Sequence, residues 1–247
     1  MPEDAATPGA DSELWDLQHL AQATRLCDWM FEQFRGALGT TAVEVGAGIG
    51  TFSERMLAAG VERLTLIEPD APCAGELERR FAGDPRVMLI AGPLPDADGL
   101  GDLRSSADTV VCQNVLEHIE DDAAALGSMA AALKPGGRLV LLVPAHPRLF
   151  GTLDRRFGHH RRYDRERLER IVSDAGLTLE HLYSFNLLGI LGWWIKSRQR
   201  TASLDPRSLR AYEALVRVWR PIEDRCRLPV GLSLVAHGRR PANGPTS

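Results

Sequence analysis

At 247 residues, with 44% hydrophobic content and a formal net charge of −4, the chain has enough material for one large α/β domain, and its acidic balance argues against a dedicated nucleic-acid binder. Nearly all of its positive charge is arginine, with lysine only at Lys134 and Lys196. Cys27, Cys73, Cys112 and Cys226 are far apart and form no C-x-x-C pair, so neither a disulfide framework nor a cysteine zinc site is expected, and no metal is assigned.

The first twelve residues are rich in Pro, Gly, Ala and acids and read as a frayed tail. From Leu14 to Leu38 apolar residues recur at helical spacing (Leu17, Leu20, Leu26, Trp29, Met30, Phe34), which predicts one or two helices. An alternation follows. Strands are predicted at 41–46, 63–68, 86–91, 108–113 and 138–144, with helices at 51–59, 73–81 and 121–133. Such alternation indicates βαβ units around a parallel sheet covered on both faces. "KPGGR" (134–138) reads as a sharp helix stop before a strand. After Pro144 the pattern loosens into a polar, aromatic and basic segment, 145–164. A helix is expected at 165–175, a strand at 177–185, helices at 187–200 and 205–220, and a last strand at 232–240. The apolar run 185–195 is too short to span a bilayer, and no basic–apolar signal peptide opens the sequence, so a cytoplasmic protein is expected.

The stretch "AVEVGAGIGTF" (42–52) packs Gly46, Gly48 and Gly50 into five residues right after the first strand. A glycine turn between strand and helix offers backbone N–H groups to a ligand and lets that ligand approach closely. It can also be no more than a tight turn. Glu68 ends the second strand about 20 residues later, where an acid grips ribose hydroxyls. The pattern G-A-G-I-G-T departs from the dinucleotide fingerprint, since its third glycine comes one residue early. Glu44 adds an acid suited to an ammonium group. An amino acid joined to a nucleoside, S-adenosylmethionine, fits these features better than NAD.

"VEVGAGIGTF", "LIEPD", "DTVVCQNVLEHIEDD" and "LKPGGRLVLLVPAH" occur in order. Together they closely resemble the motifs of class I S-adenosylmethionine-dependent methyltransferases over about residues 42–144. The resemblance implies a Rossmann-like, mostly parallel seven-stranded sheet in a three-layer α/β sandwich, with extra helices over the active site. It also implies cofactor contacts from Glu44, Gly46, Ala47, Gly48, Gly50, Glu68, Pro69, Gln113, Asn114, Val115 and His118. Many relatives carry an acid near the end of the third strand that reaches the adenine. Here Pro93 stands in its place, leaving the Leu94 backbone N–H and, as a substitute acid, Asp96. The simplest organisation is one domain over 13–240, with a helical cap at 13–40, a cofactor-binding core at 41–145 and a substrate side at 146–240. Residues 1–12 and 241–247 are then tails.

Methyl transfer from a sulfonium needs mainly an aligned nucleophile, about 3–3.5 Å from the methyl carbon. A base is needed only where the acceptor must lose a proton. The candidates lie in "PAHPRLFGTLDRRFGHHRRYDR": His146, His160 and Tyr163, on a loop expected to close over the site. The same segment also reads as a surface loop with solvated charges. The expected reaction is methylation of an O, N or C atom of a small molecule, in secondary metabolism or in glycan or lipid precursor synthesis, by a monomer or homodimer. A lipid-like acceptor or a peripheral membrane contact through Trp193, Trp194 and "KSRQR" is a minority reading. The rivals are an NAD-dependent oxidoreductase, a cofactor-binding module without turnover, and a non-methylating reaction such as cyclisation.

Overall fold

Strands buried on both faces split their side chains between two cores, and that split organises this protein. The computed structural model describes residues 13–94, 103–197, 206–226 and 228–242. Seven strands, β1 (Thr41–Val45), β2 (Arg63–Glu68), β3 (Val87–Ala91), β4 (Ala107–Gln113), β5 (Leu133–Pro144), β6 (Thr178–Phe185) and β7 (Ser233–Arg239), form one sheet in the order β3-β2-β1-β4-β5-β7-β6. All neighbours pair in parallel except β7, which runs antiparallel to both β5 and β6. The expected Rossmann-like sandwich is present.

Along β5, Leu139, Leu141 and Val143 enter one core, while Val140 and Leu142 enter the other. The first core is closed by α5 (Asp122–Ala132) and α7 (Arg165–Asp174), through Leu126, Met129, Leu168 and Val172. The second is closed by α2 (Thr24–Arg35), α3 (Thr51–Ala58), α4 (Ala71–Arg80) and α9 (Pro206–Cys226), through Trp29, Met56, Leu77 and Val216. This two-sided burial is why the strands show continuous apolar runs rather than alternation. The remaining helices are α1 (Glu13–Ala21), the short α6 (Thr152–Arg156) and α8 (Leu187–Ser197).

The helix α9 also fastens the cap. The start of α2 has no side-chain cap of its own; the buried Glu213 carboxylate accepts from the Leu26 N–H at 2.8 Å and the Arg25 N–H at 3.0 Å. Glu223 does the same for the entry to α8, accepting from the Asn186 N–H at 2.5 Å and the Leu187 N–H at 3.0 Å. Trp29 donates its indole N–H to Asp224 at 2.8 Å. The start of α2 thus receives from a distant helix the acceptors that a local cap normally supplies, whereas α8 also has its own, the Asn186 Oδ1, which accepts from the Gly189 N–H at 2.9 Å.

Most boundaries fall within a residue or two of expectation, with three differences, one of them that α9, expected to end at 220, continues through Pro221 to Cys226. β5 begins at Leu133, so "KPGGR" is strand rather than a stop. Gly136 takes a φ of +79°, and the β4–β5 register shifts between Ala107 and Thr109. Gly137 is pressed onto β4, where a Cβ would meet the Ala107 carbonyl oxygen at 3.1 Å. α6, unexpected from the sequence, interrupts the segment after β5. The proposed tails 1–12 and most of 241–247 lie outside the described residues.

The turn into β7 offers a sharp packing test. A Cβ at Gly231 would fall 2.3 Å from the Phe185 carbonyl oxygen and 2.5 Å from its nitrogen. Gly231→Ala is expected to cost about 1–3 kcal/mol, read as a lower urea midpoint at unchanged slope. An unmoved midpoint would contradict this contact.

Candidate functional site

The strand order reverses between β1 and β4, the place where open α/β sheets bind ligands beyond their carboxyl ends. A cavity of about 230 Å³ lies there. The glycine turn contributes Gly46, Ala47 and Gly48; Glu68 and Pro69 follow β2; Gln113, Asn114, Val115 and His118 follow β4. Leu17, Leu20 and Met30 of the cap helices close its apolar side.

The turn is built on left-handed backbone, with φ of +71° at Gly46, +56° at Gly48 and +83° at Gly50. Each glycine has a different neighbour. A Cβ at Gly46 would overlap Val115 at 2.1 Å, one at Gly48 would touch Leu17 at 3.1 Å, and one at Gly50 would strike Phe81 at 2.7 Å. Gly48 therefore keeps its bare face toward the cavity, with only a flexible cap side chain opposite. Gly50 instead serves the packing of α3 on α4, so it is not a lining residue as the sequence reading had it.

Glu68 joins the two halves of the site. It is 4% exposed; its Oε2 accepts from the Gly48 N–H at 2.7 Å and its Oε1 from the Asp70 N–H at 2.9 Å. Burial raises its pKa, and the two N–H donors oppose that rise. Gln113 brings a further polar group: its Oε1 is buried with no hydrogen-bond partner. An unsatisfied acceptor in a cavity wall is a place for a ligand donor. Asn114 has a φ of +51°, strained for a residue with a side chain, and is held by its N–H donating to the Leu142 carbonyl at 2.7 Å. Cys27 also lines the cavity, but burial pushes its thiol up to about 11, which removes it as a thiolate nucleophile.

Several expected positions lie off the cavity. Glu44 is 3% exposed beneath the turn, where Ser53 Oγ donates to it. Burial, reinforced by the nearby Glu68 charge and opposed by Ser53, pushes Glu44 up to about 8. Pro93 and Leu94 are not among the lining residues, because Leu94 turns into the core beside Ile90 and Leu103. Asp96 is outside the described residues.

The segment expected to close as a mobile loop is pinned instead. Ala145 bridges to Tyr163, and the His146 N–H donates to the Tyr163 carbonyl at 3.0 Å. Tyr163 is fully buried; its hydroxyl donates to Asp122 at 3.0 Å, and burial drives its pKa upward. That geometry makes it a structural tie rather than a base. His146 turns its Nε2 to the Gly231 carbonyl at 3.0 Å, and His160 is exposed; neither lines the cavity. The histidine that does is His118, expected as a cofactor contact. It opens toward the cavity, yet the protein packed around it and the nearby His159 and His160 push it down to about 4, so its ring is neutral at pH 7. Beside it, burial pushes Glu117 up to about 8.

The tryptophan pair also divides. Trp193 stacks on His159 and carries the Arg162 guanidinium 4.5 Å from its ring centroid, while Trp194 is 45% exposed. Among the described residues no helix is long and apolar enough to cross a membrane.

A family model described as "Methyltransferase domain" matches residues 17–182. A mitochondrial ubiquinone biosynthesis O-methyltransferase of Schizosaccharomyces pombe is 35% identical over 139 residues, 51% of this chain and 48% of that protein. The ubiquinone biosynthesis O-methyltransferase of Aeromonas salmonicida is 28% identical over 147 residues, 57% and 60% of the two chains. This chain thus spans about half to three-fifths of the length of these relatives. Among solved structures, geranyl diphosphate methyltransferase in complex with S-adenosylmethionine superimposes with a TM-score of 0.66 at 16% identity, covering 95% of this chain and 93% of that one. At that identity the likeness establishes the shared fold.

The buried Glu44 gives a pH signature. Its folded pKa of about 8 lies above the 4.5 of a free glutamate. Between those values the folded state holds a proton that the unfolded state has lost, so stability falls as pH rises from about 4.5 to about 8. Glu44→Gln is expected to lessen that fall, measured as the difference in urea midpoint between pH 5 and pH 8. An equal difference in both proteins would show that Glu44 is ionised in the fold.

Proposed function

The chain belongs to the methyltransferase-domain family, and on that premise we propose that it transfers a methyl group from S-adenosylmethionine to a small, largely apolar molecule. S-adenosylmethionine is the cofactor of this family. The observation that carries the reading is the clamp at the switch point: one buried carboxylate, Glu68, holds the bare turn at Gly48 beside a cavity wall with a spare acceptor on Gln113. A zwitterionic nucleoside suits that mixture of acid, backbone and amide, and the turn lacks the spacing that a pyrophosphate needs.

When bound, the cofactor supplies an electrophilic methyl carbon on sulfur. The chain's own residues do the rest. The turn and Glu68 fix the donor end. Leu17, Leu20 and Met30 exclude water and present an apolar wall to the acceptor. His118, neutral and at the cavity, is the side chain placed to meet an acceptor's hydroxyl or amine proton. This moves the acceptor-side role from His146, His160 and Tyr163 to His118. The relatives that act in ubiquinone biosynthesis are O-methyltransferases, which favours oxygen as the accepting atom. The apolar cap and the exposed Leu191 and Trp194 on α8 suit an acceptor with a hydrocarbon part.

Calorimetry and label transfer test the proposal. The dialysed protein is expected to bind S-adenosylhomocysteine at one equivalent and to ignore NADH. Gly48→Val, which puts a branched side chain at φ +56° against the cavity, is expected to weaken that binding at least about 100-fold. Label from the methyl group should enter the small-molecule fraction of a cell extract. NADH binding would point to an oxidoreductase. Cofactor binding with no labelled product would point to a binding module or a cyclisation, and label only in protein or RNA would reject the small-molecule acceptor.

A further inference from the structure

At the edge of the cavity, Glu117, His118 and His159 each place one ligand atom within 4.8 Å of the other two. Two independent features make this more than a chance grouping. The Glu117 side chain is 1% exposed and its Oε2 is buried without a hydrogen-bond partner. A carboxylate oxygen in that position is costly unless something cationic or protic meets it.

His159 is oriented as metal-ligating histidines are. Its Nδ1 lies 2.9 Å from Asp154 Oδ1, and the Arg162 Nε donates to the same oxygen at 2.7 Å. Asp154 is fully buried. With Nδ1 turned to Asp154, the other ring nitrogen of His159, Nε2, faces Glu117 and lies 4.0 Å from its Oε1. A carboxylate fixing the tautomer behind a histidine is the usual second support of a metal ligand. The two rings of His118 and His159 meet edge to face at 4.7 Å, with Trp193 stacked behind His159.

The buried Arg162 guanidinium does not serve Glu117 Oε2, because it is committed to Asp154 at 2.7 Å and to the Ala145 carbonyl at 3.0 Å.

From this grouping we infer that Glu117, His118 and His159 form a binding site for a divalent transition metal, with Asp154 as the residue that positions His159. Two imidazoles and one carboxylate suit zinc, iron or manganese-type ions better than magnesium, which prefers oxygen ligands. Donors bonded at about 2.0–2.1 Å sit roughly 3.4 Å apart around a tetrahedral ion, so small side-chain rotations would complete the site. Three protein ligands leave a coordination position open, and His118 borders the cavity.

The consequence for chemistry rests on the methyl-transfer reading. A dication here would draw an acceptor's hydroxyl oxygen to the cavity and lower its pKa. The acceptor proton would pass to solvent, because His118, bound to the ion, no longer receives it. The O–CH₃ bond would form as the S–CH₃ bond breaks, and the bonding pair would remain on the sulfur of S-adenosylhomocysteine. The site thereby selects oxygen acceptors carrying an ionisable hydroxyl.

The test uses the full chain, stripped by chelator and titrated with zinc alone by calorimetry. One equivalent is expected to bind, with affinity weakened at least about tenfold in His118→Ala, His159→Ala and Glu117→Gln. Cobalt(II) should give visible d–d bands in the parent protein that are lost in His159→Ala. Circular dichroism verifies folding, and Glu117→Gln, which conserves volume, decides the matter if a histidine variant unfolds. No stoichiometric binding, or binding unchanged in the folded variants, overturns the inference and leaves a shared proton as the partner of Glu117 and His159. S-adenosylhomocysteine binding in the same chelated samples keeps the two readings apart. Cofactor binding without zinc binding sinks the metal site alone, and the reverse sinks only the proposed function.

Discussion

The Glu68 carboxylate, accepting from Gly48 and from Asp70, ties the end of β2 to the turn after β1. The site depends on that tie. The turn holds three consecutive alternate glycines in left-handed backbone, a conformation with little local preference to keep it in one place. A buried charge with two N–H donors fixes it, and the cost of burying that charge is met only while both donors are present. The first strand beyond the switch point supplies the rest. Val115 lies so close over Gly46 that no side chain fits between them. The cavity is therefore framed by three neighbouring strand ends locked to one another, and the cap helices merely close it.

The parts of this arrangement that were legible in the sequence are those dictated over short spans. The βαβ alternation, the order of the strands along the chain, the glycine turn and the acid at position 68 all follow from local apolar runs and punctuation. Where reading failed, the deciding interaction was distant. "KPGGR" looked like a stop because Pro and Gly usually end helices. Yet Gly137 is pressed onto β4, and Lys134 is paired with Asp108 at 2.6 Å, which draws the segment into the sheet. The N-terminus of α2 has no capping residue to read, since its acceptor is Glu213, more than 180 positions away. Gly50 looked like part of a ligand cradle because it shares a motif with Gly48; only the packing of Phe81 separates their roles.

The same limit explains the misplaced acceptor side. Histidines, arginines and a tyrosine crowded into residues 146–163 suggested a mobile catalytic loop, and composition alone could not reveal that Arg162 and Tyr163 are buried. Their polar groups are consumed internally, by Asp154 and the Ala145 carbonyl for Arg162, and by Asp122 and the Leu116 carbonyl for Tyr163. A segment spending its side chains in this way is a strut. It carries His159 to His118, which among the described residues is the histidine that borders the cavity.

That strut gives the "LEH" element after β4 a double function. Its short helical turn, Leu116–His118, sends Leu116 fully into the core, Glu117 into the buried polar cluster and His118 to the cavity. Three successive residues thus face packing, charge and ligand. A 3₁₀ turn makes this feasible, because at three residues per turn neighbouring side chains point about 120° apart. Any shift of the turn would have to move all three at once, against the core on one side and the Asp154–His159 pair on the other. The chemistry at the cavity mouth is in this way coupled to the same packed elements that set the switch point.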